Sequence, residues 1–252
     1  MTGTERFRLD GKRALVTGAG RGIGRAIAAG LAESGAEVTL CARSEAELNT
    51  LATDIRAAGG AADIIVLDIT NVDALDKALA QRPAFDVFVN NAGTNRPKPF
   101  LEVTLEDYQA VLGLNLQAAY FALQRVVMGM RAAGKHGSVI NMSSQMGHVG
   151  AANRSLYCAS KWGIEGLTKA LAVELGLSGI RVNTICPTFI ETPMTKDYFA
   201  DPQFLASVLS KIKLGRLGTV EDVVGAAIFL ASDASSMMTG SAVMLDGGWT
   251  AD

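Results

Sequence analysis

Tyr157 and Lys161 lie four residues apart in the stretch SLYCASKWGIEGL. A helix turns once every 3.6 residues, so positions i and i+4 share a face, and a phenol there stands in the field of a fixed ammonium. A free phenol ionises near pH ~10, and a neighbouring positive charge favours the phenolate and brings that value towards neutrality. An otherwise inert group becomes a usable acid or base. Much earlier, TGAGRGIG (17–24) follows an apolar, β-rich run and opens a stretch rich in Ala and Ile. Gly18 permits a tight turn. Gly20, Gly22 and Gly24, with Arg21 and Ile23 between them, let the backbone approach a pyrophosphate, which a helix N-terminus then stabilises. Its place after a strand and before a helix favours a dinucleotide site over a turn whose glycines serve packing alone.

The end of the second strand selects the dinucleotide. A carboxylate there would bind the adenosine ribose hydroxyls, whereas a guanidinium would pair with a 2′-phosphate. The chain reads Cys41-Ala42-Arg43-Ser44, with no acid until Glu45. Arg43 and Arg21 therefore form a candidate clamp for the 2′-phosphate of NADP, with NAD as the alternative. Asp68, followed by Ile69 in VLDIT, could accept a hydrogen bond from the adenine amino group or cap the next helix. Asn90-Asn91-Ala92-Gly93 suits a buried turn that locks strands together and leaves room for the adenosine half of a cofactor.

Composition narrows the remaining classes. The chain has 252 residues, 49% of them hydrophobic but only 6% aromatic, with 27 glycines. That suits one domain with a large core of small aliphatic side chains under many tight turns. A net charge of −2 offers no electrostatic footprint for nucleic acid or an anionic membrane. Cys41, Cys158 and Cys186 are scattered, with no CxxC and no His close by in sequence, so neither disulfides nor a metal site is expected. The polar N-terminus lacks a signal-peptide run and nowhere do 18 apolar residues follow one another, which points to a cytoplasmic location.

The elements that position these residues alternate. Strands are expected at 13–17, 36–41, 63–67, 85–90, 137–142, 180–185 and 242–246, and helices near 22–33, 45–58, 71–80, 104–133, 152–176 and 219–231. Seven strands alternating with helices predict an α/β fold: a mainly parallel sheet covered by helices on both faces. A long insertion at 188–215 breaks the rhythm after the sixth strand. Insertions of this size serve as lids or binding loops. A surface hairpin without a role is the other reading, and the position at a strand's carboxyl end favours a lid.

TGAGRGIG, NNAG, Asn115 in LGLNLQAAY, Ser144 thirteen residues before Tyr157, YCASK and the closing LDGG together resemble the short-chain dehydrogenase/reductase family, from about Leu9 to Gly248. The resemblance implies a single-domain Rossmann fold, usually a homotetramer, that moves a hydride between a nicotinamide and a carbonyl or alcohol carbon. It implies that Tyr157 is the general acid/base and that Lys161 lowers its pKa and binds the nicotinamide ribose. Ser144 would hold the reacting oxygen, as an oxyanion donor does, with Ser143 less suited by spacing. Asn115 is a poor helix former in an apolar surround, which alone would read as a satisfied helix polar group. The resemblance implies a helix break there, holding a water that relays protons to the lysine. Pro187, Ile190 and Thr192 match positions that contact the nicotinamide. Thr188 stands where the family usually has Gly; a β-branched residue tolerates positive φ badly, so backbone or pocket width should differ there.

The residues expected to border a substrate are Asn95, Arg96, Gln145, Met146, His148, Asn153 and Arg154, with Tyr198 or Phe199 from the lid; Ser144, Gln145, His148 and Tyr157 are the chosen contacts. Arg96 and Arg154 could equally face solvent, and His148 could be a bystander. This polar rim favours a small polyhydroxylated substrate such as a sugar alcohol, sugar acid or keto acid. Two other readings stay open. One is a 3-oxoacyl-carrier-protein reductase, which needs a basic patch such as Lys98, Arg125, Arg131 and Lys135 could form. The other is a cofactor-binding regulator without catalysis.

Overall fold

A computed structural model describes residues 3–251. Its seven strands are β1 (Arg13–Thr17), β2 (Glu37–Ala42), β3 (Ala61–Val66), β4 (Val87–Asn90), β5 (Ser138–Met142), β6 (Arg181–Pro187) and β7 (Ala242–Leu245). They form one sheet in the order β3-β2-β1-β4-β5-β6-β7, every neighbouring pair parallel. The order reverses between β1 and β4, which opens a crevice at their carboxyl ends, the place where ligands of open α/β sheets bind.

The eight helices are α1 (Gly22–Glu33), α2 (Glu45–Ala57), α3 (Val72–Ala80), α4 (Leu105–Leu112), α5 (Ala119–Ala132), α6 (Ser155–Leu175), α7 (Pro202–Leu209) and α8 (Glu221–Ala231). Ser44, Asn71 and Thr104 cap α2, α3 and α4 through their side-chain oxygens, and Thr104 forms a reciprocal capping box with Asp107. The expected helix at 104–133 is interrupted: Gly113–Ala118 is a π-helical segment between α4 and α5, and Asn115 lies inside it. The insertion also gains structure, a 3₁₀ helix at Lys196–Ala200 followed by α7, whose start is fixed by the Asp201 cap and Pro202 in the first turn.

Successive strand residues point to opposite faces, so the sheet divides the core in two. Ala14, Val16, Val87, Val89 and Ile140 pack with Ile27 and Leu31 of α1, Leu51 of α2 and Leu230 of α8. Leu15, Phe88 and Val139 face the other way, towards Leu75 of α3, Leu123, Val126 and Met130 of α5, and Leu175 of α6. Each fully buried side chain of this size contributes roughly 1.5–3 kcal/mol. Both faces of the central strands are covered, which is why they read as continuous apolar runs.

Candidate active site

The glycine loop is built against the turn after β4. Gly18 has φ +66, and a Cβ there would lie 2.8 Å from Asn91 Nδ2. A Cβ on Gly24 would run into the Gly18 carbonyl and the same amide. Asn91 Nδ2 donates to the carbonyls of Thr17 (2.8 Å) and Gly18 (3.3 Å), while the Asn91 and Ala92 N–H groups donate to Thr17 Oγ1 at 3.0 and 3.1 Å. Asn90 Nδ2 donates to the Ala119 carbonyl and to Asn141 Oδ1, so its side chain ties β4 to β5 and α5. The locking role expected of the paired amides is therefore present, with the Asn90 Nδ2 spent on it and its Oδ1 buried without a partner. Helix α1 begins after Arg21 with no side-chain cap, leaving its first N–H groups available to an anion.

Other expected cofactor contacts change character. Arg43 is exposed, with Nη1 3.9 Å from Asp68 Oδ2. Asp68 does not cap α3; its Oδ1 accepts from Thr70 N (3.0 Å) and Thr70 Oγ1 (2.8 Å), and the bond from the Thr70 N–H leads the causes that lower its pKa. The cap is Asn71, three residues on. Ile69 and Ile190 are 6% and 3% exposed and pack within the core, Ile69 on one face of the sheet and Ile190 on the other. Glu47 was not anticipated: its carboxylate comes against Gly20 from the first turn of α2, two residues after Glu45. Thr192 crosses the same loop, 3.6 Å from where a Gly22 Cβ would be.

Ser144, Tyr157 and Lys161 converge just beyond the carboxyl end of β5. Ser144 Oγ donates to Gln145 Oε1 (2.8 Å) and accepts from Met146 N (3.1 Å). It also acts on the phenol of Tyr157, favouring the ionised form. Ser143 faces Cys186 instead. Lys161 Nζ donates to the Met142 carbonyl at 2.8 Å and lies 5.4 Å from the Tyr157 ring centroid. The expected lowering of the phenol does not follow from this pair. Burial pushes Tyr157 up to about 12, outweighing Ser144, and lowers Lys161 to about 8. The ammonium sits beside the ring and is directed at a backbone carbonyl, while both groups have been taken out of water.

Asn115 is 2% exposed and fully engaged. Its Oδ1 accepts from Thr94 N (2.8 Å), and its Nδ2 donates to the Thr94 carbonyl (2.8 Å) and Ser160 Oγ (3.1 Å). The side chain thus pins the loop after NNAG to α6, one residue before Lys161. Gln145 is 1% exposed; its Oε1 holds Ser144 and Met146, and its Nε2 is buried without a partner. It positions Ser144. His148 Nε2 lies 3.4 Å from Cys186 Sγ and 3.5 Å from Glu165 Oε1, and the Cys186 thiol, raised to about 12 by burial, donates to Glu165 Oε1 at 3.2 Å. Distance along the chain hid this trio, because Cys186 has no His near it in sequence. Arg96 pairs with Glu106 and Asp107, so it belongs to the start of α4.

Comparison with known proteins decides the family. A sequence model described as Enoyl-(Acyl carrier protein) reductase matches residues 18–250. L-xylulose reductase from Bos taurus is 44% identical over 97% of this chain and 99% of its own length. The chain belongs to the short-chain dehydrogenase/reductase family. A 3-oxoacyl-[acyl-carrier-protein] reductase from Thermotoga maritima is 39% identical over 96% of this chain and 99% of that protein. The crystal structure of a gluconate 5-dehydrogenase from Burkholderia cenocepacia J2315, in complex with NADP and tartrate, superposes with a TM-score of 0.93 at 37% identity, covering 98% of each chain. Against the family pattern, Thr188 causes no strain. Asn153 is the one non-glycine at positive φ among the described residues, and the Thr188 N–H donates to the Leu245 carbonyl at 3.1 Å, continuing the pairing of β6 with β7. Its Oγ1 is buried without a partner. Beyond it, Phe189 seats the insertion through ring contacts of 5.7–6.0 Å with Phe199, Phe204 and Trp249.

Proposed function

We propose that this dehydrogenase/reductase uses NADP to interconvert a ketone and a secondary alcohol on small polyhydroxylated substrates. The observation that carries the reading is the convergence of Ser144, Tyr157 and Lys161 beside a glycine loop that no Cβ could enter at Gly18 or Gly24. The uncapped start of α1 and the buried, unpartnered Thr188 Oγ1 fit a dinucleotide running from the loop to the end of β6. Arg21 and Arg43 would hold its 2′-phosphate, and Pro187 and Thr192 its nicotinamide end. When bound, NADP supplies or accepts the hydride.

Tyr157 gives a proton from Oη to the carbonyl oxygen in reduction and takes it back in oxidation. A phenol held near 12 is protonated at neutral pH, which is the form that donates. Ser144 turns its single O–H from Gln145 Oε1 to the same oxygen as charge develops on it. Lys161 binds the ribose hydroxyls and opposes the phenol's burial once its proton leaves. Asn115 holds the loop and α6 in register, and the π segment around it offers the irregular backbone on which a proton-relaying water can sit. The segment 188–215 acts as the lid.

Relatives named for xylulose and gluconate favour small hydroxylated carbon chains. The carrier-protein reading is weakened by the charges on its docking patch: Lys98 pairs with Asp107, Arg125 with Asp76 and Lys135 with Asp86. A panel of ketoses, polyols, aldonates and acyl thioesters, followed by nicotinamide absorbance, tests the reading. Turnover confined to thioesters would move it to carrier-protein reduction, and tight cofactor binding without any turnover would make the chain a regulator. The three unpaired cysteines suit a reducing cytoplasm. Exposed Tyr108, Tyr120, Met128 and Trp162 on α4, α5 and α6 suit burial in a homotetramer, which sedimentation would measure.

A further inference from the structure

Arg154 immediately precedes α6 and is 8% exposed. A guanidinium this deep normally carries a paired carboxylate. Among the described residues none is paired with it. Its hydrogen bond is a long one, from Nη1 to the Asn153 carbonyl at 3.5 Å, and the titratable groups around it are the phenols of Tyr198 and Tyr157 and the thiol of Cys158, none of them a carboxylate. The Tyr198 ring, from the 3₁₀ helix of the lid, covers it with 5.3 Å from Cζ to the ring centroid. The cation therefore lies between Tyr198 of the lid and the catalytic phenol of Tyr157.

The backbone that delivers Arg154 is unusual as well. Asn153 has φ +60, a left-handed conformation that Asn tolerates better than most residues, and its carbonyl accepts from Lys98 N at 3.0 Å. A tight turn anchored to the loop after NNAG thus turns an arginine inward, and strained turns of this kind cluster at functional sites. The contrast with Arg96 is instructive. That residue meets Glu106 and Asp107 within the chain, whereas Arg154 meets no acid.

We propose that Arg154 receives a carboxylate carried by the substrate, so that the enzyme selects sugar acids, aldonates and their keto forms, over neutral sugars and polyols of the same length. The proposal rests on the reading of this site as a polyol/ketose oxidoreductase. A guanidinium can stack its face on a ring while its edge forks onto a carboxylate, so the Tyr198 contact leaves the N–H edge for the ligand. The incoming anion supplies the partner that the fold withholds, and Tyr198 shields the pair from water as the lid closes.

Gluconate and D-glucitol differ only in that a hydroxymethyl group replaces the carboxylate. Values of kcat/KM with NADP for both would be measured in the wild type, Arg154→Gln and Arg154→Lys, alongside calorimetric binding of gluconate to the NADPH complex. The wild type is expected to prefer gluconate. Arg154→Gln should lose about 10- to 150-fold on gluconate, mainly through KM, with a loss on glucitol at least about tenfold smaller. Arg154→Lys, with a point charge but no fork, should recover part of the preference. Retained NADPH binding reports that the variants fold. Equal losses on both substrates, a wild type indifferent to the carboxylate, or gluconate binding unchanged in Arg154→Gln would each overturn the proposal. If no polyol or aldonate is turned over but gluconate binding still depends on Arg154, the oxidoreductase reading fails and the carboxylate site stands.

Discussion

Lys161→Met offers a direct measure of what the site costs the fold. Lys161 is 6% exposed, and burial, opposed by Cys186 and Glu165, lowers it from 10.5 to about 8. Since the folded value lies below the unfolded one, the folded chain binds fewer protons between them. The lysine's contribution to stability is thus fully present above pH 10.5 and is lost as pH falls towards about 8. At about 1.4 kcal/mol per pH unit the separation is worth ~3 kcal/mol. The substitution removes this penalty together with the 2.8 Å bond to the Met142 carbonyl, whose loss costs ~1–3 kcal/mol. Near neutral pH the two effects largely offset each other. Their pH dependence does not, because only the penalty titrates. In urea unfolding of both proteins without cofactor, the stability of the variant relative to the wild type should fall by ~3 kcal/mol between pH 8 and 10.5. Titrating groups away from Lys161 are shared and cancel in the difference, which leaves the lysine and its neighbours Cys186 and Glu165. A difference that stays flat across that window would refute the buried ammonium.

Tyr157→Phe should lower kcat by about 10²–10⁴-fold or more while leaving NADPH binding, read by fluorescence, near the wild-type value; surviving turnover would remove Tyr157 from its role. Arg43→Ala should weaken NADPH by about 10- to 100-fold with little effect on NADH, since it deletes one side of a charged phosphate contact; equal effects on both cofactors would refute the clamp. Asn91→Ala deletes the bonds to the Thr17 and Gly18 carbonyls and should cost ~1–3 kcal/mol in urea unfolding, with weaker cofactor binding because the glycine loop loses its anchor.

The strands were legible because burial on both faces leaves a plain mark: RALVT and VFVN are mostly apolar runs of β-formers, with the polar Thr17 and Asn90 only at their carboxyl ends. The caps act locally, Ser44, Asn71 and Thr104 each on an N–H three residues away, yet the cap expected at Asp68 falls on Asn71, three residues on. The π segment at Gly113–Ala118 was not visible in the helical pattern, because apolar spacing continues through it from α4 into α5. What breaks the helix is Thr94, more than twenty residues earlier, which takes both ends of the Asn115 amide. Residue type flagged Asn115 as out of place, but the partner that justifies it lies outside any local window.

The same distinction decides which charges are available for chemistry. Spacing placed Tyr157 and Lys161 on one helix face, and they are there, yet whether a phenol ionises depends on how much water its surroundings remove, which no spacing encodes. Arg96 and Arg154 show it most sharply. Both were read as polar residues at the rim, both could have faced solvent, and their neighbours in sequence do not separate them. The fold gives one of them two carboxylates from α4 and buries the other beneath Tyr198 with none. An arginine whose acid is supplied internally is part of the scaffold. One left without an acid at this depth keeps its N–H edge for a ligand, which is why Arg154 and not Arg96 carries the proposed carboxylate contact.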